Sequence, residues 1–326
     1  MQYRKFGDTD MEVSVVGFGC WQIGGYYWGH VDQGEWIDSV HRALDLGITF
    51  FDTADFYGFG RSEQVLAEAL GDHTDDVIIA TKVGLVSRDG RQDFSADDLL
   101  TLEDHIEKDL SRAHIIEAAE NSLRRLKRDV IDLYLLHWPD EATPLEETMG
   151  AMAELVEAGK VRQVGCCNFS AAEMHEADRL YHLAAHQFPY SLLDRKAEEE
   201  LLPACQAAGV GGIAYWTLFK GLLTGKYTEH SAFGVDDWRH FDPAFEGEQF
   251  RNSLAIVTEL KHIAIDEGLS PAQLAIAWVL HQPGVTTAIV GAKWPQHVET
   301  NVGAANAVLS KDALKRIDEM LQKSRE

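Results

Sequence analysis

The sequence predicts an α/β protein built as a (β/α)8 TIM barrel, with a short N-terminal β-hairpin and long active-site loops. Three observations predict it. Short apolar runs alternate with longer amphipathic stretches, as in a parallel sheet covered by helices. Eight such runs fall within 326 residues, the number a closed barrel needs. No Pro/Gly/Ser-rich linker or low-complexity tract breaks the chain, so residues 1–326 read as one domain. An open doubly wound sheet is the alternative architecture.

Taken in order, Tyr3–Phe6 and Met11–Val13 flank Gly7-Asp8 and read as the hairpin. The expected barrel strands are Val13–Phe18, Thr49–Asp52, Val77–Thr81, Ile131–Leu136, Val161–Cys166, Ala185–Phe188, Gly212–Tyr215 and Thr287–Val290. Helical patterns between them include Trp36–Leu46, Glu63–Leu70, Ile115–Leu126, Leu145–Ala158, Ala171–Tyr181, Leu254–Glu267 and Pro271–His281. Ser170 can cap one helix, and Ser270-Pro271 puts proline at a first helical position. Gly47, Gly71, Gly159 and Gly209 each follow a helical run, where a left-handed cap is wanted. Two segments, Gly84–Asp104 and Phe219–Gln249, are too long for plain connections and read as lids or binding loops.

Hydrophobic residues make up 45% and charged residues 25%, enough to build a large core. The formal net charge of −24 disfavours nucleic acid and anionic lipid as partners. The opening MQYRKFGDTD lacks an apolar signal region, and no run is long enough to cross a membrane. Cys20, Cys166, Cys167 and Cys205 form no C-x-x-C pair, so neither a disulfide framework nor a metal site is expected. A cytoplasmic protein, monomeric or weakly oligomeric, is the expectation, with inert buried thiols.

Four side chains carry the candidate chemistry. Asp52 ends the second predicted strand, Tyr57 lies in the loop after it, Lys82 closes the third and His137 the fourth. Barrel active sites gather at the C-terminal strand ends, so these groups meet. A lone Asp–Lys pair is more often structural; four groups in one phase are not. A free phenol with a pKa of about 10 is a poor acid at neutral pH. Lys82, held by Asp52, is expected to lower the Tyr57 pKa, while His137 hydrogen-bonds a substrate oxygen. Side chains donate no hydride, so a nicotinamide cofactor is required.

These residues also sit in recognisable motifs. Phe50-Phe51-Asp52-Thr53-Ala54-Asp55-Phe56-Tyr57-Gly58, Ala80-Thr81-Lys82, and Asp132-Leu133-Tyr134-Leu135-Leu136-His137-Trp138-Pro139 resemble the signatures of the aldo-keto reductase family. The resemblance implies an NADP(H)-binding barrel without a Rossmann fold, acting on a small-molecule carbonyl. Gly17-Phe18-Gly19 indeed lacks the third glycine of the dinucleotide fingerprint.

The resemblance also implies cofactor positions. Asn168 and Gln187 correspond to the residues that hold the carboxamide, and Tyr215 to the aromatic stacking on the ring. Trp216, Leu218 and Gly221 would lie near the nicotinamide or pyrophosphate. Gly291, Lys293, His297 and Asn301 correspond to the adenosine end, with Lys293 suited to a 2′-phosphate. Departures from the family pattern are Cys167 for a serine, Trp216 in Tyr215-Trp216-Thr217-Leu218, His297, and Trp294 beside Lys293. Trp21, Tyr26, Tyr27 and Trp28, together with Trp138 and Trp238, read as candidate walls of a substrate pocket, of which Trp21, Trp28 and Trp138 are the named candidates. The resemblance leaves a second reading open, a cofactor-sensing module of the same fold with slow turnover.

Overall fold

The computed structural model describes residues 1–24, 28, 31–88, 90–91 and 102–323. A hairpin of β1 (Tyr3–Lys5) and β2 (Glu12–Ser14) precedes β3 (Val16–Gly19), so the predicted run Val13–Phe18 divides between hairpin and barrel. Then follow β4 (Phe50–Asp52), β5 (Ile78–Val83), β6 (Leu85–Ser87), β7 (Ile106–Lys108), β8 (Ile131–Leu136), β9 (Val161–Cys167), β10 (Ala185–Pro189), β11 (Gly211–Tyr215) and β12 (Val285–Gly291). Strands β3, β4, β5, β8, β9, β10, β11 and β12 close into a barrel in that order, each pair parallel.

Helices α1 (Gln33–Asp45), α2 (Arg61–Leu70), α3 (Leu102–His105), α4 (Arg112–Leu126), α5 (Leu145–Glu157), α6 (Ala171–Leu180), α7 (Leu201–Ala208), α8 (Gly247–Asp266), α9 (Pro271–His281), α10 (Pro295–Val302) and α11 (Lys311–Lys323) complete the chain. Ser170 and Ser270 both build reciprocal capping boxes, with Glu173 and Gln273. Gly47, Gly71, Gly159 and Gly209 all have positive φ, as their places after helices require. Helix α8 starts at Gly247, seven residues before the predicted start at Leu254. No single helix among the described residues is long and apolar enough to cross a membrane.

Strand alternation divides the core in two. Phe50, Ala80, Leu133, Leu135, Cys167, Ile213 and Ile289 pack inside the barrel. Their neighbours Phe51, Ile79, Tyr134, Leu136 and Cys166 face the helices. Phe6 plugs the N-terminal end, its ring edge-on to Phe50 at 5.4 Å. The period of 2 therefore sends Asp52, two residues beyond Phe50, and Lys82, two beyond Ala80, into the barrel mouth. His137 continues the inward row of Leu133 and Leu135 just past β8.

The described parts of the two long segments carry regular structure. Strand β6 pairs antiparallel with β7, and Leu85, Ile106 and Lys108 of this pair line the cleft. Tyr26, Tyr27 and residues 92–101 lie outside the described residues. The Phe219–Gln249 segment carries short 3-10 turns at Phe219–Thr224, Trp238–His240 and Pro243–Phe245.

Candidate active site

Lys82 stands at the centre, fully buried. An ammonium has three hydrogens to give, and three partners surround it. Nζ lies 2.8 and 2.9 Å from the two Asp52 carboxylate oxygens, 2.8 Å from the Thr53 carbonyl and 3.1 Å from the Tyr57 hydroxyl. The four sequence-predicted groups come together, since the His137 and Tyr57 rings are 5.8 Å apart. Gln187 Nε2 donates to Asp52 Oδ1 at 2.7 Å, so the carboxylate is held from both sides.

Burial opposes the Lys82 charge, and Asp52 and Tyr57 outweigh it, so the ammonium stands above the ordinary lysine range. Burial pushes the Tyr57 phenol up while Lys82 pulls it down, and burial wins. This corrects the expectation that Lys82 carries the phenol below its usual value. The pull is present, but desolvation of a phenolate is the larger effect. Burial, with Lys82 second, holds His137 well below the usual imidazole range. It is therefore neutral near pH 7, and its Nδ1 is buried without a hydrogen-bond partner among the described residues.

The tetrad opens into a cleft of about 1530 Å³ whose walls include Asp52, Tyr57 and His137. Every predicted cofactor position lines it: Asn168, Gln187, Tyr215, Trp216, Leu218, Gly221, Gly291, Lys293, His297 and Asn301. Asn168 takes a left-handed φ of 62°, fixed by its backbone N–H to the Gln187 carbonyl at 3.0 Å. Its amide bridges the His137 carbonyl at 3.0 Å and the Tyr215 hydroxyl at 2.8 Å. Trp21, Trp28 and Trp138 also line the cleft. Trp21 packs on Tyr57 at 6.1 Å, on Trp28 at 5.3 Å and on Trp238 at 5.9 Å, an aromatic wall beside the phenol. Trp138 is 39% exposed and stands further out, under the Lys108 ammonium.

Sequence reading missed three contributors. Lys226 and Arg239 line the same end as Lys293 and His297. Burial and Arg239 hold both Lys226 and Lys293 below the ordinary lysine range. Burial, Lys226 and Lys293 likewise lower His297. With Arg239 ion-paired to Asp237, Lys226 and Lys293 supply the positive charge at this end, which in a chain of net charge −24 favours an anion. Gln22 is the third, with Oε1 buried and without a partner among the described residues, at the Gly291 edge of the cleft. Lys226 had a signal, the end of Gly221-Leu222-Leu223-Thr224-Gly225-Lys226; Arg239 and Gln22 had none. Amide side chains at one end and lysines at the other fit a nicotinamide dinucleotide. Among the described residues, no group of three or more His, Cys, Asp or Glu is placed to hold a metal.

Comparison with known proteins bears on the family and the fold. The model of the Aldo/keto reductase family matches residues 15–322. The chain is 39% identical over 325 residues to the aldo-keto reductase YhdN of Bacillus subtilis, covering 99% of this chain and 94% of that protein. It is 37% identical to the uncharacterized oxidoreductase Rv2298 of Mycobacterium tuberculosis, over 95% of this chain and 91% of the relative. The solved glycerol dehydrogenase AKR11B4 from Gluconobacter oxydans superposes with a TM-score of 0.88 at 34% identity, covering 99% and 95% of the two chains.

Proposed function

This chain belongs to the aldo/keto reductase family of oxidoreductases, and from that premise we propose that it is an NADPH-dependent reductase of aldehydes or small ketones, acting as one barrel unit. The observation that carries the reading is the Lys82 ammonium, which spends its hydrogens on Asp52, on the Thr53 carbonyl and on the Tyr57 hydroxyl at the cleft mouth.

The nicotinamide supplies the hydride when bound. Asn168, Gln187 and the Tyr215 ring would hold its carboxamide end, Trp216, Leu218 and Gly221 its middle. Gly291, Lys293, His297 and Asn301 would hold the adenosine end, with Lys226 adding positive charge. Tyr57 gives its proton to the carbonyl oxygen as that oxygen becomes an alkoxide. Lys82 stabilises the phenolate left behind, and Asp52 keeps Lys82 charged and aimed. His137, neutral, hydrogen-bonds the same oxygen and fixes the carbonyl against the phenol. Trp21 and Trp28, with Trp138 further out, wall the substrate side and exclude water.

Tyr57→Phe tests the assignment. The variant should bind NADPH within about threefold of wild type, because the ring remains, and lose roughly 10²–10⁴-fold in kcat for a generic aldehyde, as loss of a general acid does. Fluorescence titration reads the first and absorbance at the reduced-nicotinamide band the second. Equal turnover by variant and wild type refutes the role.

A further inference from the structure

We propose that the exposed indole of Trp294 is a stacking face for the purine of the cofactor, built by this chain at the far end of the cleft. The inference rests on the dinucleotide reading of that cleft.

Trp294 follows Lys293 at the turn from β12 into α10, with Pro295 opening the helix. It is 42% exposed, one of the few large apolar side chains left so open. It is not loose. Its Nε1–H donates to Glu35 Oε2 on α1 at 2.7 Å. The His297 ring meets it edge to face at 4.8 Å and 67°. The polar edge of the indole is thus directed to α1 and its plane is fixed. What remains is a π-face on the wall that also carries Lys293, His297 and Asn301.

A fixed aromatic plane loses little freedom when a flat ring lies on it. Every nucleobase presents such a ring, and stacking on an aromatic side chain is worth roughly 5- to 100-fold in affinity per base. The neighbouring cations attract phosphate, and their pull weakens with salt. A neutral stacking contact does not, so the two contributions separate experimentally. In a chain this acidic, a salt-independent contact at the entrance also offsets long-range repulsion of an anionic ligand.

Calorimetric titration of the full chain with 2′,5′-ADP and with 5′-AMP tests the proposal. Trp294→Ala should weaken both fragments by roughly 5- to 100-fold, while Trp294→Phe, which keeps a face, stays within about threefold of wild type. The loss in Trp294→Ala should persist at about 0.5 M NaCl, where a loss from Lys293→Ala shrinks. Fragment binding should also change tryptophan emission in wild type and do so less in Trp294→Phe. Fragment affinities within about twofold of wild type in Trp294→Ala overturn the proposal, and so does a Phe variant as weak as the Ala variant. If wild type binds neither fragment nor NADPH nor NADH, the dinucleotide reading itself falls; if wild type binds them and Trp294→Ala does too, only the stacking falls.

Discussion

Replacing Gly24 by Ala tests whether close backbone contact positions the Tyr57 loop. A Cβ at residue 24 would lie 2.9 Å from Gly58 N and from Tyr57 C, and 3.4 Å from Tyr57 Cα. These are backbone atoms, so no rotamer relieves the overlap. Ordinary van der Waals contact begins near 3.4 Å, and the loop must withdraw by roughly 0.5–1 Å. The Tyr57 hydroxyl is 3.1 Å from Lys82 Nζ, and such a retreat stretches that to about 3.6–4.1 Å, beyond hydrogen-bond reach. Gly24 is not among the residues with positive φ, so backbone strain does not confound the change. Misplacing a reacting group by about 1 Å costs up to roughly 10²-fold. We expect kcat to fall about 10- to 100-fold and stability to fall by about 1–3 kcal/mol from overpacking. NADPH affinity should stay within about threefold, because Lys293 and Arg239 meet the Gly24 loop at Trp28, away from the Tyr57 contact. Steady-state reduction of a generic aldehyde, NADPH fluorescence titration and urea unfolding read the three quantities. A folded Gly24→Ala protein with wild-type kcat refutes the argument.

Other perturbations separate fold from site. Gly150 lies inside α5 with open space around its missing side chain, so Gly150→Ala should raise urea-derived stability by about 0.5–1 kcal/mol without touching kcat. Burial holds the His186 imidazole down at about 3. Unfolded, it titrates near 6.5, so as pH falls from about 6.5 to 3 the unfolded chain binds a proton the native chain lacks, and stability drops by about 1.4 kcal/mol per unit. Between pH 7.5 and 5.5, wild type should therefore lose about 1.4 kcal/mol more than His186→Leu, as followed by urea unfolding; equal losses exclude His186 as a source of acid lability. Lys293→Ala should weaken NADPH roughly 5- to 30-fold more than NADH in fluorescence titrations, the share of one charge-assisted contact. Lys293 Nζ also donates to the Trp28 carbonyl, so a loss equal for both cofactors assigns it to holding that loop instead.

The barrel and the tetrad were legible because both follow from period. Phe50 and Asp52, Ala80 and Lys82, and Leu133, Leu135 and His137 share the inward phase, and a strand ending is readable from the turn residues after it. The division of Val13–Phe18 was not legible, because Val13 and Val15 to Phe18 form one apolar run while hairpin pairing claims β2 for another sheet. The start of α8 was hidden for a different reason. Residues 247–253 read as polar loop, and Phe250 is the buried residue there that ties this turn of helix to the core. The cations at the cofactor end converge from distant segments. Lys293 stands in a recognisable motif and Lys226 ends another, but Arg239 joins them only when the loop carrying Trp238 and Arg239 folds back against Trp28, where Asp237 makes an isolated bridge. The sign of the Tyr57 shift was out of reach of sequence as well. It depends on how deeply the folded chain buries the phenol, which no spacing encodes.

That upward shift bears on how the proposed chemistry is divided. A donor for a nascent alkoxide has to keep its proton until the oxygen becomes basic, and a phenol above its usual range does so. Lys82 acts afterwards, because its attraction grows when the phenol becomes a phenolate at the same 3.1 Å separation. His137 completes the sorting. A second cation beside Lys82 would compete as the acid, and burial together with the Lys82 charge prevents it from forming. What remains inside the mouth is one compensated pair, Asp52 with Lys82, and two neutral hydrogen-bonding groups around a reacting oxygen. On the proposed chemistry, burial and the Lys82 charge thus sort the two groups: the side chain that would transfer a proton retains it, and the one that would orient the carbonyl stays uncharged.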